Sequence, residues 1–549
     1  MHSRLSALAL CLLLCAAPTL ADQYVEPSVA EFFRRSSGIP SQLFGWAVAP
    51  LGDLDGDGVI DLAVSAPFAA NGTFSTAGRI YALSGASGAT LWQHAETRTS
   101  AVLGFSLETM DWNADGVLDV VAGAPFAAAG RAFVFSGVDG VTLAQFGGEA
   151  TDSGFGAALA TGGDFDGDGR PDLLIAAPGQ STPAGTSTGR VYVYQRGASS
   201  AYATLDGPYA QAQFGLGLAF VGDTSSPRDG RDELVVGWRD ASVFTDGFAA
   251  VYAWSGASAA QRYAVSGVGM GLNLSGDGID GGGDANGDGV PDFLVGDRFH
   301  AVVALFSGAD GARLATLADA IGGGDFGAAH FIRDRDGDGR SDVAVGASDN
   351  GTGDAGAGKL FVFSGATGAV LRTITPRSAQ LHLGTDVRDL GDFNGDGTPD
   401  LVAGCFGDGV RGFSGHLPAP ANRKWPAERR TDPKLVDTGG DPTAGPIVGS
   451  PIEVFNLDLD CRSAPTSGPF AIRVRRTTLS VQVPTSFGWS WIGGPLLYLA
   501  TGVQARDVVH LSPAGIVLPS DPALIGLDFG VQGSCGGRLS NALEQTIGR

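Results

Sequence analysis

The chain has 549 residues, of which 86 are Gly and 28 Pro against 44% hydrophobic, so turns are abundant and there is still enough apolar surface for folded domains. Its formal charge of −23, from 58 acids and 35 bases, repels phosphate backbones and anionic lipid and argues against a nucleic-acid partner. At about 150 residues per domain the length suggests three or four domains, unless a repeat fills it.

At the N-terminus His2 and Arg4 precede an apolar run from Leu5 to Ala17, and Ala21 ends the segment before Asp22. This pattern predicts a signal peptide over residues 1–21, cleaved after Ala21. Leu14 before Cys15 argues against a lipid anchor, and no later stretch is apolar enough for a membrane helix. A secreted, extracellular or cell-surface protein is expected, monomeric and without a membrane span.

One nine-residue pattern then recurs along the chain. It runs Asp53–Asp61, Asp111–Asp119, Asp164–Asp172, Asp284–Asp292, Asp334–Asp342 and Asp392–Asp400, with a degraded member from Asp223 to Glu233. Successive starts lie 58, 53, 59, 61, 50 and 58 residues apart, the period of a four-stranded blade with long loops. In each period an entry strand such as Phe44–Val48 leads into the acidic loop. A short apolar run such as Leu62–Ala66 follows, then an alternating run such as Arg79–Gly85 and a weaker strand such as Thr90–His94.

The order predicts an all-β fold, a seven-bladed β-propeller over residues 22–416. In the last unit Pro418 and Pro420 stand where a fourth strand belongs, and proline cannot supply that ladder. Val29–Arg35, at the other end, is spaced to serve as that strand and close the ring.

The loops carry their own chemistry. Oxygen-bearing side chains occupy positions 1, 3, 5 and 9: Asp53, Asp55, Asp57 and Asp61; Asp111, Asn113, Asp115 and Asp119; Asp164, Asp166, Asp168 and Asp172. The later copies place Asp284, Asn286, Asp288 and Asp292; Asp334, Asp336, Asp338 and Asp342; Asp392, Asn394, Asp396 and Asp400. Position 7 offers a backbone carbonyl, from Val59, Val117, Arg170, Val290, Arg340 and Thr398, and Gly at position 6 permits the sharp turn. Hard, flexible oxygens in this number suit Ca2+ better than Mg2+, so about six calcium ions are expected. An EF-hand is excluded, because position 12 holds Val64, Ala122, Ile175, Val295, Val345 and Ala403 where a bidentate Glu belongs. In the degraded loop, aligning Asp229-Gly230 and Glu233 with the pattern puts Ser225 at position 1 and Pro227 at position 3, so that loop is expected to be empty or poorly occupied.

These features resemble the FG-GAP repeat family, known from the seven-bladed propeller of integrin alpha subunits. The resemblance rests on Phe44-Gly45, Phe155-Gly156, Phe214-Gly215 and Phe326-Gly327 before the loops, and on Ala66-Pro67, Gly123-Ala124-Pro125 and Ala177-Pro178 after them. It covers about residues 29–416 and implies calcium in each complete loop, with ligand recognition on the opposite face. Leu103 and Leu383 depart from it where Phe is usual.

No catalytic constellation accompanies the repeats. The mature chain keeps six His, at 94, 300, 330, 382, 416 and 510, none in metal-site spacing, and lacks HExxH and GxSxG motifs. His330 and His382 read as packed or solvated residues. Gly281–Gly283 resembles a phosphate cradle only in isolation, since no Lys follows.

Beyond the repeats, residues 417–446 form a Pro-rich linker and 447–549 a C-terminal β-sandwich-like domain, whose end resembles a β-rich module of large secreted bacterial proteins. Cys461 and Cys535 are expected to pair there, leaving Cys405 a buried thiol. The sequence thus reads as a non-enzymatic extracellular binding or adhesion module, with an unidentified protein or glycan ligand. The alternative is a secreted lectin, hydrolase or lyase acting on polysaccharide.

Overall fold

The computed structural model divides into two units, Met1–His416 and Leu417–Arg549. It describes residues 24–26, 29–239, 247–254, 258–266, 278–297, 300–319, 326–348, 356–377, 381–405 and 409–415 of the first, and strand segments between 423 and 546 of the second.

The first unit is a seven-bladed β-propeller, each blade a four-stranded antiparallel sheet. After β1 (Glu31–Arg35), blade 1 contains β2 (Val48–Gly52), β3 (Asp61–Ala66), β4 (Arg79–Leu83) and β5 (Thr90–Ala95). Blade 2 contains β6 (Leu107–Met110), β7 (Asp119–Ala124), β8 (Arg131–Phe135) and β9 (Thr142–Gly147). Blade 3 contains β10 (Leu159–Thr161), β11 (Asp172–Ala177), β12 (Arg190–Gln195) and β13 (Ala203–Asp206). Blade 4 contains β14 (Leu218–Gly222), β15 (Glu233–Arg239), β16 (Gly247–Trp254) and β17 (Ala259–Ser266). Blade 5 contains β18 (Ile279–Gly283), β19 (Asp292–Asp297), β20 (Val302–Phe306) and β21 (Arg313–Ala318). Blade 6 contains β22 (Phe326–Ile332), β23 (Asp342–Ala347), β24 (Lys359–Phe363) and β25 (Val370–Ile374), and blade 7 contains β26 (Leu383–Gly391), β27 (Asp400–Cys405) and β28 (Gly409–Phe413).

The second strand of each blade is the core of its sheet. Every residue of β3, β7, β11, β19, β23 and β27 is buried, which explains the short apolar runs without polar alternation. Cys405 ends β27 as a buried thiol.

The entry strands of blades 1 to 4 start later than the sequence suggests, whereas β22 and β26 include the Phe-Gly or Leu-Gly pair. β2 begins at Val48, and Phe44-Gly45 form a turn before it. Gly45 has φ +93°, outside the β region, and a Cβ there would lie 2.1 Å from the Gly409 carbonyl oxygen of blade 7. The pair therefore packs one blade onto its neighbour. The matching bridges Gly78 to Leu103, Gly130 to Phe155, Gly189 to Phe214 and Gly358 to Leu383 run parallel between consecutive blades. Leu in place of Phe at 103 and 383 is fully buried all the same, so the position asks for apolar volume rather than for an aromatic ring.

Blade 7 takes its outermost strand from the N-terminus, β1 pairing antiparallel with β28 from Glu31 opposite Phe413 to Arg35 opposite Val410. A buried charge network fixes that pairing. Glu31, 2% exposed at its side chain, meets Arg34 Nε at 2.5 Å and Arg411 Nη1 at 3.1 Å, and it accepts from the Tyr24 hydroxyl. Gly281–Gly283 lie in β18, where a Cβ on Gly281 or Gly283 would strike Phe220 or Phe331 of the adjoining blades. The glycines serve close packing there.

In the second unit the strands Arg423–Lys424, Arg538–Thr546, Asp528–Cys535, Gly468–Arg476 and Leu496–Gln504 form one antiparallel sheet in that order, beside a three-stranded and a two-stranded sheet. The expected sandwich packing and the Cys461–Cys535 bridge lie outside the described residues.

Two outcomes test the ring. Glu31→Ala removes the carboxylate from buried Arg411 and should cost about 3–5 kcal/mol by denaturant titration. A chain beginning at Ser41 leaves β28 as an open edge and should aggregate, as seen by light scattering.

Candidate metal centre

Each acidic loop joins the first strand of a blade to the second, and one hydrogen-bond scheme shapes it. In loop 1, Asp53 Oδ1 accepts from the N–H groups of Gly56 (2.8 Å) and Asp57 (3.1 Å), while Oδ2 accepts from Gly58 (2.9 Å). Asp55 accepts from Asp57 N–H and Asp57 from Val59 N–H, so successive Asx turns fold the loop around its own carboxylates. The bond from the position-6 Gly to the position-1 Asp recurs in loops 2, 3, 5, 6 and 7, at 2.7–3.1 Å. The position-7 residues Val117, Arg170, Val290, Arg340 and Thr398 are held as Val59 is, through their N–H groups on the position-5 Asp.

The ninth position is the anchor. Asp61, Asp119, Asp172, Asp292, Asp342 and Asp400 are fully buried at the start of the second strand. Asp61 Oδ2 accepts from Leu54 N–H at 2.7 Å, and Oδ1 from Gly85 N–H at 2.8 Å, beyond the third strand. A Cβ on Gly85 would lie 2.0 Å from the Ile60 carbonyl oxygen, so only Gly brings that N–H close enough. Gly137, Gly308, Gly365 and Gly415 do the same for Asp119, Asp292, Asp342 and Asp400. In blade 3 the bond is replaced: Tyr202 Oη donates to Asp172 Oδ2, and Asp172 Oδ1 is buried with no hydrogen-bond partner.

The carboxylates converge. Ligand atoms of Asp53, Asp55 and Asp57, of Asp164, Asp166 and Asp172, and of Asp334, Asp336 and Asp342 lie within 4.8 Å of one another. Loops 2, 5 and 7 carry Asn at position 3. Asn113 and Asn286 turn their amide N–H to Asp115 and Asp288, and Asn394 turns its own to Asp400. Burial raises the position-9 carboxyls, against the backbone N–H bonds that lower them and with the neighbouring loop carboxylates that raise them further. Asp172 reaches about 7, and Asp292 and Asp342 about 6. A divalent cation fits this donor set, because it meets the orphaned Asp172 oxygen and the mutual repulsion together.

The degraded loop follows another register. Asp223 Oδ2 accepts from Gly230 N–H at 2.8 Å, the bond that a position-1 Asp makes in the other loops, so Asp223 and not Ser225 stands there. Two inserted residues separate it from Glu233, whose Oε2 still accepts from Thr224 N–H at 2.6 Å. Arg262 Nη1 lies 3.2 Å from Glu233 Oε1, and its guanidinium also donates to Thr224 Oγ1. The chain supplies its own cation to this loop. Sequence reasoning missed Arg262 because it comes from β17, outside the nine-residue pattern. It also read His330 as a packed or solvated residue without naming its neighbours, which the structure shows to be Asp280 and Asp386.

Comparison with known proteins agrees with this geometry. The FG-GAP repeat model matches residues 44–83 and 155–194. Integrin alpha-V of Gallus gallus is 28% identical over 226 residues, covering 37% of this chain and 20% of the relative. Integrin alpha-PS5 of Drosophila melanogaster is 35% identical over 153 residues, and integrin alpha-5 of Xenopus laevis 32% over 165, each covering 25% of this chain and 15% of the relative. The first unit is a seven-bladed β-propeller that carries FG-GAP repeats and is similar to the integrin alpha subunits. The chain aligns with a fifth or less of the length of these relatives.

The raised carboxyls set the sign of a pH effect. In chelator the folded state holds protons more tightly than the unfolded chain, so stability should fall as pH rises from about 4 to 7. Melting scans across that range, with and without a divalent cation, check it: the cation should flatten or reverse the slope.

Proposed function

We propose that the chain is a secreted calcium-binding β-propeller that acts as an extracellular binding or adhesion module. The observation that carries this reading is the loop hydrogen-bond scheme, repeated six times over a buried ninth-position carboxylate, with carboxylate oxygens within 4.8 Å of one another in loops 1, 3 and 6. Positions 1, 3, 5 and 9 supply side-chain oxygens to the ion and position 7 a carbonyl. Calcium suits so many flexible hard oxygens, and extracellular modules of this kind bind it at about 10⁻⁴–10⁻³ M. The signal-peptide pattern over residues 1–21 directs the protein outside the cell.

Calcium here is structural. It stiffens the loops between first and second strands, and ligand recognition is left to the surface the blades present. The ligand is an extracellular protein or a glycan.

Two measurements test the reading. Asp61→Ala removes the anchor of loop 1 alone, so it should lower the melting temperature in calcium and abolish one ion site while the other five titrate normally. Arrays of extracellular-matrix proteins and glycans, probed with and without chelator and paired with a hydrolase and lyase screen, should give calcium-dependent binding without turnover. Turnover of a polysaccharide would overturn the adhesion reading.

A further inference from the structure

The channel at the centre of the propeller holds charged side chains that the loops do not use. The first strands of blades 2 to 7, with Trp46 and Ala47 just before that of blade 1, line a cavity there of about 430 Å³. Strand registers place one residue per blade at a single level, each opposite the second residue after the one that opens the next strand: Ala49, Glu108, Ala160, Ala219, Asp280, His330 and Arg388. Four of the seven are ionisable, and the other three are Ala.

Arg388 Nη2 lies 3.1 Å from Glu108 Oε1 in blade 2. His330 Nε2 lies 3.3 Å from Asp386 Oδ1, and its Nδ1 3.6 Å from Asp280 Oδ2. Asp386 is satisfied, since Oδ2 accepts from Val48 N–H at 3.0 Å and Oδ1 from Val387 N–H at 2.8 Å. Asp280 Oδ2 accepts from Phe331 N–H at 2.7 Å. Among the described residues Glu108 Oε2 and Asp280 Oδ1 have no hydrogen-bond partner, and both residues line the cavity.

Three carboxylates thus face one guanidinium and one imidazole. With all three carboxyls ionised the cluster is net negative, a partly buried excess that is costly unless something meets it, and burial accordingly raises the Glu108 carboxyl. A bare metal ion does not suit the place. The described acidic groups that converge within 4.8 Å all belong to loops 1, 3 and 6, and Arg388 already stands between the channel carboxylates. The uncharged part of the wall carries the hydroxyls of Ser106, Thr161 and Thr385, with an apolar stretch of Ala160, Leu218 and Ala219 on the side that lacks charge. Trp46 and Phe105 line the same cavity, their rings 5.8 Å apart and Trp46 Nε1 donating to the Phe105 carbonyl oxygen.

We propose that the channel binds a small organic cation, an alkyl amine or guanidine, whose charged head meets Glu108 and Asp280 and whose stem lies on the alanine, leucine and aromatic wall. Two free acceptors set the head, the aromatic pair favours a cation over a neutral guest, and the volume suits a short alkyl chain. The site is separate from the loops, so it stands or falls independently of calcium.

Calorimetric titration of the full chain with putrescine and with agmatine, each in calcium and in chelator, tests this, with glutamate and butanol as controls. Saturable binding of an amine or guanidine at one site per chain is expected, weakened at least tenfold in Glu108→Gln and in Asp280→Asn. Circular dichroism and thermal melting of both variants verify that they fold. Silence with both cations, equal affinity in the two folded variants, or preference for glutamate would overturn the proposal.

Discussion

A carboxylate buried at the first residue of each second strand is the constraint on which the propeller depends. Asp61 shows the arrangement: one oxygen holds the N–H of the loop's second residue and the other the N–H of Gly85, beyond the third strand. One side chain thereby fixes the loop, the start of the central strand and the end of its neighbour. Burial makes its charge costly, and the loop adds acids rather than removing them. The six repeated loops and the acidity of the chain are two consequences of one site design that calls for a cation.

Neighbouring blades are joined by a different device. Among the described residues the Phe-Gly or Leu-Gly segment packs onto the preceding blade at four junctions, and at Gly45 the contact is with blade 7, so the closing seam uses a similar joint. β1 then covers the exposed edge of β28, held by the charge network around Glu31. Blade 4 departs from the loop design without losing its shape. Asp223 and Glu233 keep their hydrogen bonds, and Arg262 brings the positive charge from within the chain.

The propeller and the acidic loops were legible because both repeat: the spacing of Asp and Gly within nine residues is local, and seven copies in order leave few architectures open. Three features were not. In blade 1 the entry strand starts after Phe44-Gly45, where Gly45 adopts a positive φ, which composition alone does not reveal. The fourth loop has two extra residues, so anchoring the pattern on Glu233 misplaced its first ligand position, while the bond from Gly230 to Asp223 corrects it. The channel charges sit one per blade, from Glu108 to Arg388, and only strand register brings them to one level. Part of a signal existed, since aligning the repeats on their ninth position puts Asp280, His330 and Arg388 in one column, while Glu108 falls one position nearer its loop and only the strand register brings it level.

The most direct test of the account is an ion count by native mass spectrometry of the secreted chain in calcium. Six ions are predicted, falling to five when the ninth-position Asp of any one complete loop is changed, and unchanged when Glu233 is replaced. A chain that carries no calcium, or a count indifferent to those aspartates, would contradict it.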